Sequence, residues 1–141
     1  MQYPIDASCQ CGQVSYQINE PPMVVMACHC KECQKLSTAP YSITVVFKTD
    51  AVKFHGEMKE WSRSSESGAK NNAMFCPNCG NRIYHFNPDD NSMIRLKLQP
   101  VDLVDDSFFE PTMHVWVSEK KSWYQVPEGV MAIDKQLKPK D

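Results

Sequence analysis

The stretch FCPNCGNRIY, Phe75 to Tyr84, sets two cysteines three apart around a proline and closes the turn with a glycine. A Cys-Pro-x-Cys-Gly turn bends the backbone so that amide N–H groups point at the sulfurs while both thiolates face one ion. Pro77 sets one φ, and Gly80 permits a positive φ just past the turn. An extended run enters it at Cys76 and RIYHF leaves it, so the stretch reads as a metal knuckle between two strands. A knuckle supplies two ligands and must borrow two more.

The lenders are among the other five cysteines. The chain has 141 residues and seven cysteines, in the groups Cys9-x-Cys11, Cys28-x-Cys30-x-x-Cys33 and Cys76-x-x-Cys79. None stands alone, and the count is odd. Cysteines two or three apart converge on one ion more readily than they close well-shaped disulfides. If Cys9 and Cys11 complete the knuckle, Cys28, Cys30 and Cys33 remain as a local set of three. If two of the triplet complete it, Cys9, Cys11 and an orphan remain, scattered over at least 17 residues. The first partition is tidier, and Gly12 after Cys11 mirrors Gly80 after Cys79.

Four thiolates around Zn²⁺ give a saturated shell of charge −2, whereas three give −1 and leave a coordination position for another donor. That donor is an incoming thiol in the catalytic reading. In the structural reading it is a histidine, with His55, His85 and His114 as candidates. His29, between two ligands, is expected to point away from the ion.

The remaining chain reads as short strands and turns. QVSYQI places Val14, Tyr16 and Ile18 on one face, and YSITVVF does the same with Tyr41, Ile43, Val45 and Phe47. MVVMA runs extended into the triplet, and a helical turn is expected over Lys31 to Leu36. VKFH and EMKEWSR are predicted to form a hairpin around Gly56, with SSESGAKNN as a polar loop. RIYHF and MIRLKL flank the turn NPDDN, and HVWV is a strand led in by Pro111. No segment has long 3.6-residue periodicity, so the class is all-β. One domain over residues 1–134 is expected, with 135–141 as a polar tail.

A net charge of −2 offers no electrostatic case for nucleic acid or anionic membrane. The first residues lack a basic and apolar leader pattern, and no apolar run approaches the ~20 residues of a membrane span. The expected location is the cytoplasm.

CQCGQVSY, CHCKECQKL, FCPNCGNRIY and HVWVSEKKSW occur here in that order. Together they resemble the glutathione-dependent formaldehyde-activating enzyme family, with its centromere-protein-V-like relatives, over about residues 5–126. The resemblance implies an antiparallel β-tent with two zinc ions. It implies that Cys9, Cys11, Cys76 and Cys79 hold a structural ion, and that Cys28, Cys30 and Cys33 hold a catalytic, labile one. It also implies carbon–sulfur lyase chemistry: glutathione or a similar thiol joined to formaldehyde or another small aldehyde. Thr38 stands where members often carry glycine. The competing reading is a non-catalytic, zinc-stabilised protein-interaction module.

Tyr41, Trp61, Tyr84, Trp116 and Trp123 read as core aromatics, with His114 and Trp116 singled out near the site mouth by the resemblance. Glutathione carries two carboxylates, for which Lys31, Lys35, Arg63 and Arg82 are the cations considered, though each reads more simply as a solvated surface charge.

Overall fold

The computed structural model describes residues 2–136. Along them run β1 (Ile5–Ser8), β2 (Ser15–Ile18), β3 (Val24–Cys28), α1 (Lys31–Ser37), β4 (Ser42–Lys48), β5 (Val52–His55), β6 (Lys59–Ser64), β7 (Lys70–Phe75), β8 (Arg82–Asn87), β9 (Asp90–Leu96), β10 (Met113–Val115) and β11 (Met131–Ala132). The class is mostly β, as expected. The chain forms two compact units, one from residues up to Met23 with Val45–Phe109, the other from Val24–Thr44 with residues from Glu110 on.

The first unit holds two antiparallel sheets. One has the order β1-β2-β5, with Ile5 opposite Ile18 and Tyr16 opposite Phe54. The alternation read in QVSYQI holds: Val14, Tyr16 and Ile18 are fully buried. Each such side chain removed from water contributes roughly 1.5–3 kcal/mol. The Tyr16 hydroxyl, carried inward with its ring, donates to the Leu98 carbonyl. The other sheet runs β4-β9-β8-β7-β6, with Val45 opposite Leu96, Tyr84 opposite Leu96 and Met74 opposite Tyr84.

In this unit the expected hairpin around Gly56 does not form. β5 pairs with β2, whereas β6 pairs with β7, so Gly56 carries the chain from one sheet to the other. Its φ of +102°, and backbone packed so closely on Gln13 that a Cβ has no room, leave glycine alone there. The hairpin that does form joins β6 to β7 through residues 65–69. The polar run is therefore shorter than expected, because Ser64–Lys70, Arg63–Asn71 and Ser62–Asn72 continue the ladder. Trp61 is 47% exposed rather than core, because β6 is the sheet's edge. The Arg82 guanidinium lies 5.3 Å over its ring.

The second unit is built on β3, β10 and β11. These pair in parallel, with Met113 opposite Met26 and Val115 opposite Cys28. β1 and β11 lie outside the strands expected from the sequence. HVWV is a strand only to Val115, since Trp116 turns left-handed at φ +57° and a 3-10 turn follows over Val117–Glu119. The turn is tied back by the Trp116 N–H to the Lys135 carbonyl and the Val117 N–H to the Ile133 carbonyl. Trp123 is 68% exposed, also outside any core. In β4, burial of Ser42 and Thr44 as well as Val45 and Phe47 obscures the one-sided pattern. Of the expected polar tail, residues 137–141 lie outside the described residues.

α1 has the position expected and extends to Ser37. Cys30 is its N-cap, in extended geometry, and its sulfur accepts from the Cys33 N–H at 3.3 Å. Thr38 caps the other end in left-handed geometry, φ +49° and ψ +42°, with its N–H directed at the Gln34 and Lys35 carbonyls. The side chain is exposed, and its cost is the left-handed backbone of a β-branched residue.

Candidate metal centres

The two knuckles of the first unit are near copies. Gly12 N–H donates to the Cys9 carbonyl at 3.1 Å, and Gly80 N–H to the Cys76 carbonyl at 2.9 Å. The two glycines have φ of +82° and +83°. Each knuckle also closes behind its cysteines, with Cys9 N–H donating to the Val14 carbonyl and Cys76 N–H to the Asn81 carbonyl, both at 2.9 Å. Backbone N–H groups point at sulfur as well, Val14 to Cys9 at 3.3 Å and Gln13 to Cys11 at 3.5 Å. Asn81 Oδ1 bridges the knuckles, accepting from the Gln10 N–H at 2.9 Å and lying 3.6 Å from the Cys79 sulfur.

Cys11 Sγ lies 3.7 Å from Cys9 Sγ and 3.6 Å from Cys76 Sγ, and the ligand atoms of Cys9, Cys11, Cys76 and Cys79 all fall within 4.8 Å of one another. Tetrahedral Zn–S bonds of about 2.3 Å require sulfurs about 3.8 Å apart. The spacing fits a thiolate-bound ion and is far too long for disulfides, and all seven cysteines are free. The amides bias two of these thiols toward ionisation: the Asn81 N–H, then the Cys11 backbone, hold Cys79 down to about 6, and the Gln13 N–H lowers Cys11. Val14, Ile83, Phe54, Met58 and Leu98 pack around the cluster.

In the second unit, Cys28 ends β3, Cys30 caps α1 and Cys33 lies in the helix's first turn. Their sulfurs also lie within 4.8 Å of one another, and no other Cys, His, Asp or Glu among the described residues joins them. Val115, Met26, Leu36 and Trp116 pack against the cluster, burying Cys28 and Cys33 and leaving Cys30 partly exposed. Hydrogen bonds from the Cys30 and Cys33 thiols, together with burial, push the Cys28 thiol up. This crowded thiol set ionises readily only beside a cation.

The histidines do not complete this set. His29 Nε2 meets His114 Nδ1 at 2.8 Å, and both rings are buried. Tyr41 and Tyr124 pack on His29 with ring centroids 5.1 and 5.2 Å away. Burial, then the charges of His114 and Lys120, lowers His29 to about 4, and burial lowers His114. The ring of His29 thus contacts His114 and does not join the set of cysteine sulfurs. Its pairing with His114, 85 residues away, is new, because the parallel register of β3 and β10 is invisible to local pattern. His55 and His85 belong to β5 and β8 of the first unit, where His85 Nε2 accepts from Arg82 at 3.1 Å.

The profile of the family described as glutathione-dependent formaldehyde-activating enzyme matches residues 4–119. The chain belongs to this family. No curated protein matches the chain. Among solved structures, the crystal structure of a Rhodobacter sphaeroides protein is similar, with 14% sequence identity and a TM-score of 0.53, over 73% of this chain and 93% of that one. At that identity the likeness concerns the fold. No helix among the described residues is long and apolar enough to cross a membrane.

Proposed function

We propose that this family member adds a low-molecular-weight thiol, glutathione foremost, to formaldehyde or another small aldehyde at the cluster of Cys28, Cys30 and Cys33. The carrying observation is that three cysteine sulfurs converge there with no fourth protein ligand among the described residues. The residues fit Zn²⁺ in donor type and spacing. Cys9, Cys11, Cys76 and Cys79 would hold a structural ion with a closed shell. Cys28, Cys30 and Cys33 would hold one with a position open to substrate. Bound there, zinc lowers the pKa of a thiol or water beside it and so supplies a nucleophile at neutral pH.

The chain's own contribution is to hold the sulfurs in place. The Cys33 N–H fixes the Cys30 sulfur, while Val115, Met26, Leu36 and Trp116 pack against the cluster and leave Cys30 partly exposed. In the reaction the thiol sulfur forms a bond to the aldehyde carbon, the C=O π bond opens, and the proton lost by sulfur ends on the aldehyde oxygen. The product is the S-hydroxymethyl thiol, and the reverse direction is carbon–sulfur lysis.

The test couples metal analysis to assay. The expected result is two zinc per chain, one labile and perturbed by glutathione, with formation of S-hydroxymethylglutathione. Cys30→Ser is expected to abolish product while retaining one zinc and most of the fold, whereas Cys76→Ser is expected to unfold the first unit. Two equally tight ions indifferent to every thiol, with no product, would refute the catalytic reading and favour an interaction module.

A further inference from the structure

The sulfurs of Cys28, Cys30 and Cys33 are carried by three different kinds of backbone. Cys28 ends β3, where Val115 of β10 stands opposite it in the ladder. Cys33 lies inside α1 and is buried. Cys30 falls at the junction of strand and helix and is partly exposed. No fourth Cys, His, Asp or Glu among the described residues joins the set. Where the Cys30 sulfur points therefore depends on what holds its own two backbone torsions.

Two side chains hold them. The peptide before Cys30 presents its oxygen, the His29 carbonyl, to Gln34 Nε2 at 2.8 Å. The peptide after it presents its N–H, that of Lys31, to Glu119 Oε1 at 2.8 Å. Rotation about φ of Cys30 turns the first plane and rotation about ψ turns the second, so tying both planes fixes the extended geometry of φ −62° and ψ 155°. The Lys31 N–H is also a donor that the start of a helix leaves without an intrahelical partner. Gln34 Nε2 donates a second time, to the Glu119 carbonyl at 3.0 Å, so both of its amide protons are engaged and the two residues brace each other. Both are half-buried, at an open groove of about 450 Å³ whose other lining residues are Lys31, Lys35 and Lys121.

We propose that Gln34 and Glu119 are positioning residues of the three-cysteine centre, a clamp that presets Cys30 for its metal ion. The assignment rests on the metal-binding part of the reading above and is independent of the thiol chemistry. Each side chain acts through a peptide that flanks Cys30. Substitutions of equal size separate this role from bulk. Gln34→Glu keeps the shape but has no proton to give two carbonyls, whereas Glu119→Gln keeps an oxygen for the Lys31 N–H.

The test begins from the zinc-loaded protein. Competition with a chromogenic chelator gives the affinity of each ion, with Cys30→Ser marking which one is lost. Exchange of that ion for Co²⁺ reads its geometry through the thiolate-to-cobalt charge-transfer and visible bands. Outer groups that orient metal ligands are worth about 10- to 100-fold in affinity. Gln34→Glu and Glu119→Ala should weaken the three-cysteine ion by that factor and alter its cobalt spectrum, with the four-cysteine ion held as in wild type. Glu119→Gln should recover most of the affinity lost in Glu119→Ala. Lys121→Gln changes the charge of the same groove and should match wild type. Wild-type affinity and spectra in Gln34→Glu and Glu119→Ala would overturn the assignment. So would a Glu119→Gln as weak as Glu119→Ala, or a loss that extends to the four-cysteine ion, which is the mark of a general fold defect. Failure of the metal reading would look different: wild type itself would hold a single ion, and the clamp would fall with it.

Discussion

Replacing Gly56 by alanine tests how the sheet crossing supports the first candidate metal knuckle. At φ +102° an alanine is strained by roughly 1–3 kcal/mol. The added Cβ would also sit 3.0 Å from the Gln13 carbonyl carbon and 3.1 Å from Val14 Cα, and closer still to the Gln13 oxygen. Ordinary carbon contacts are about 3.5–4.0 Å, so backbone must yield by at least about half an ångström, an overpacking cost of roughly 1–3 kcal/mol. The sum is about 2–6 kcal/mol, a large share of a domain's stability. Gly68→Ala isolates the strain. It has φ +86° with nothing within 4 Å of the added carbon, so only about 1–2 kcal/mol is expected. Gln13 donates its N–H to the Cys11 sulfur and its Nε2 to the Glu57 carbonyl, so the displaced backbone belongs to the candidate metal knuckle itself. Thermal unfolding of both variants, with zinc release followed by a chromogenic chelator, provides the assay. Gly56→Ala should melt lower than Gly68→Ala and release the Cys9/Cys11/Cys76/Cys79 ion faster. Equal melting temperatures and equal release rates would refute the reasoning.

At the end of α1, Thr38→Gly removes a β-branched residue from left-handed backbone while keeping the cap N–H, and should stabilise by about 1 kcal/mol in urea denaturation. For pH, burial depresses His114, so the folded protein binds its proton less readily than the unfolded chain. Stability from this group is therefore complete above the ordinary histidine pKa of about 6.5 and is lost as pH falls below it, and His114→Phe should flatten that slope of unfolding free energy against pH.

Much of the candidate site is legible in local spacing because ligand geometry within a knuckle is settled by a few torsions. Pro77, Gly80 and Gly12 sit where the turns need them, and Cys30 both caps α1 and joins the triplet. The helix itself was legible, as was the inward face of Val14, Tyr16 and Ile18. The hairpin around Gly56 was misread for an equally physical reason. VKFH and EMKEWSR carry no mark of which sheet they enter, and the deciding contact, Gly56 on Gln13, joins residues 43 positions apart. Trp61 and Trp123 were misread because apolar identity alone does not tell an edge strand or turn from a core.

Taken alone, the order of residues determined the donor groups, their spacing and the all-β class, since these follow from covalent geometry and side-chain alternation. Folding decided which groups meet. Cys11 reaches Cys76 across 65 positions, His29 pairs with His114, and Lys121 joins Lys31 in one groove. Those encounters depend on strand register and on apolar surface leaving water, quantities summed over the whole chain and carried by no single motif.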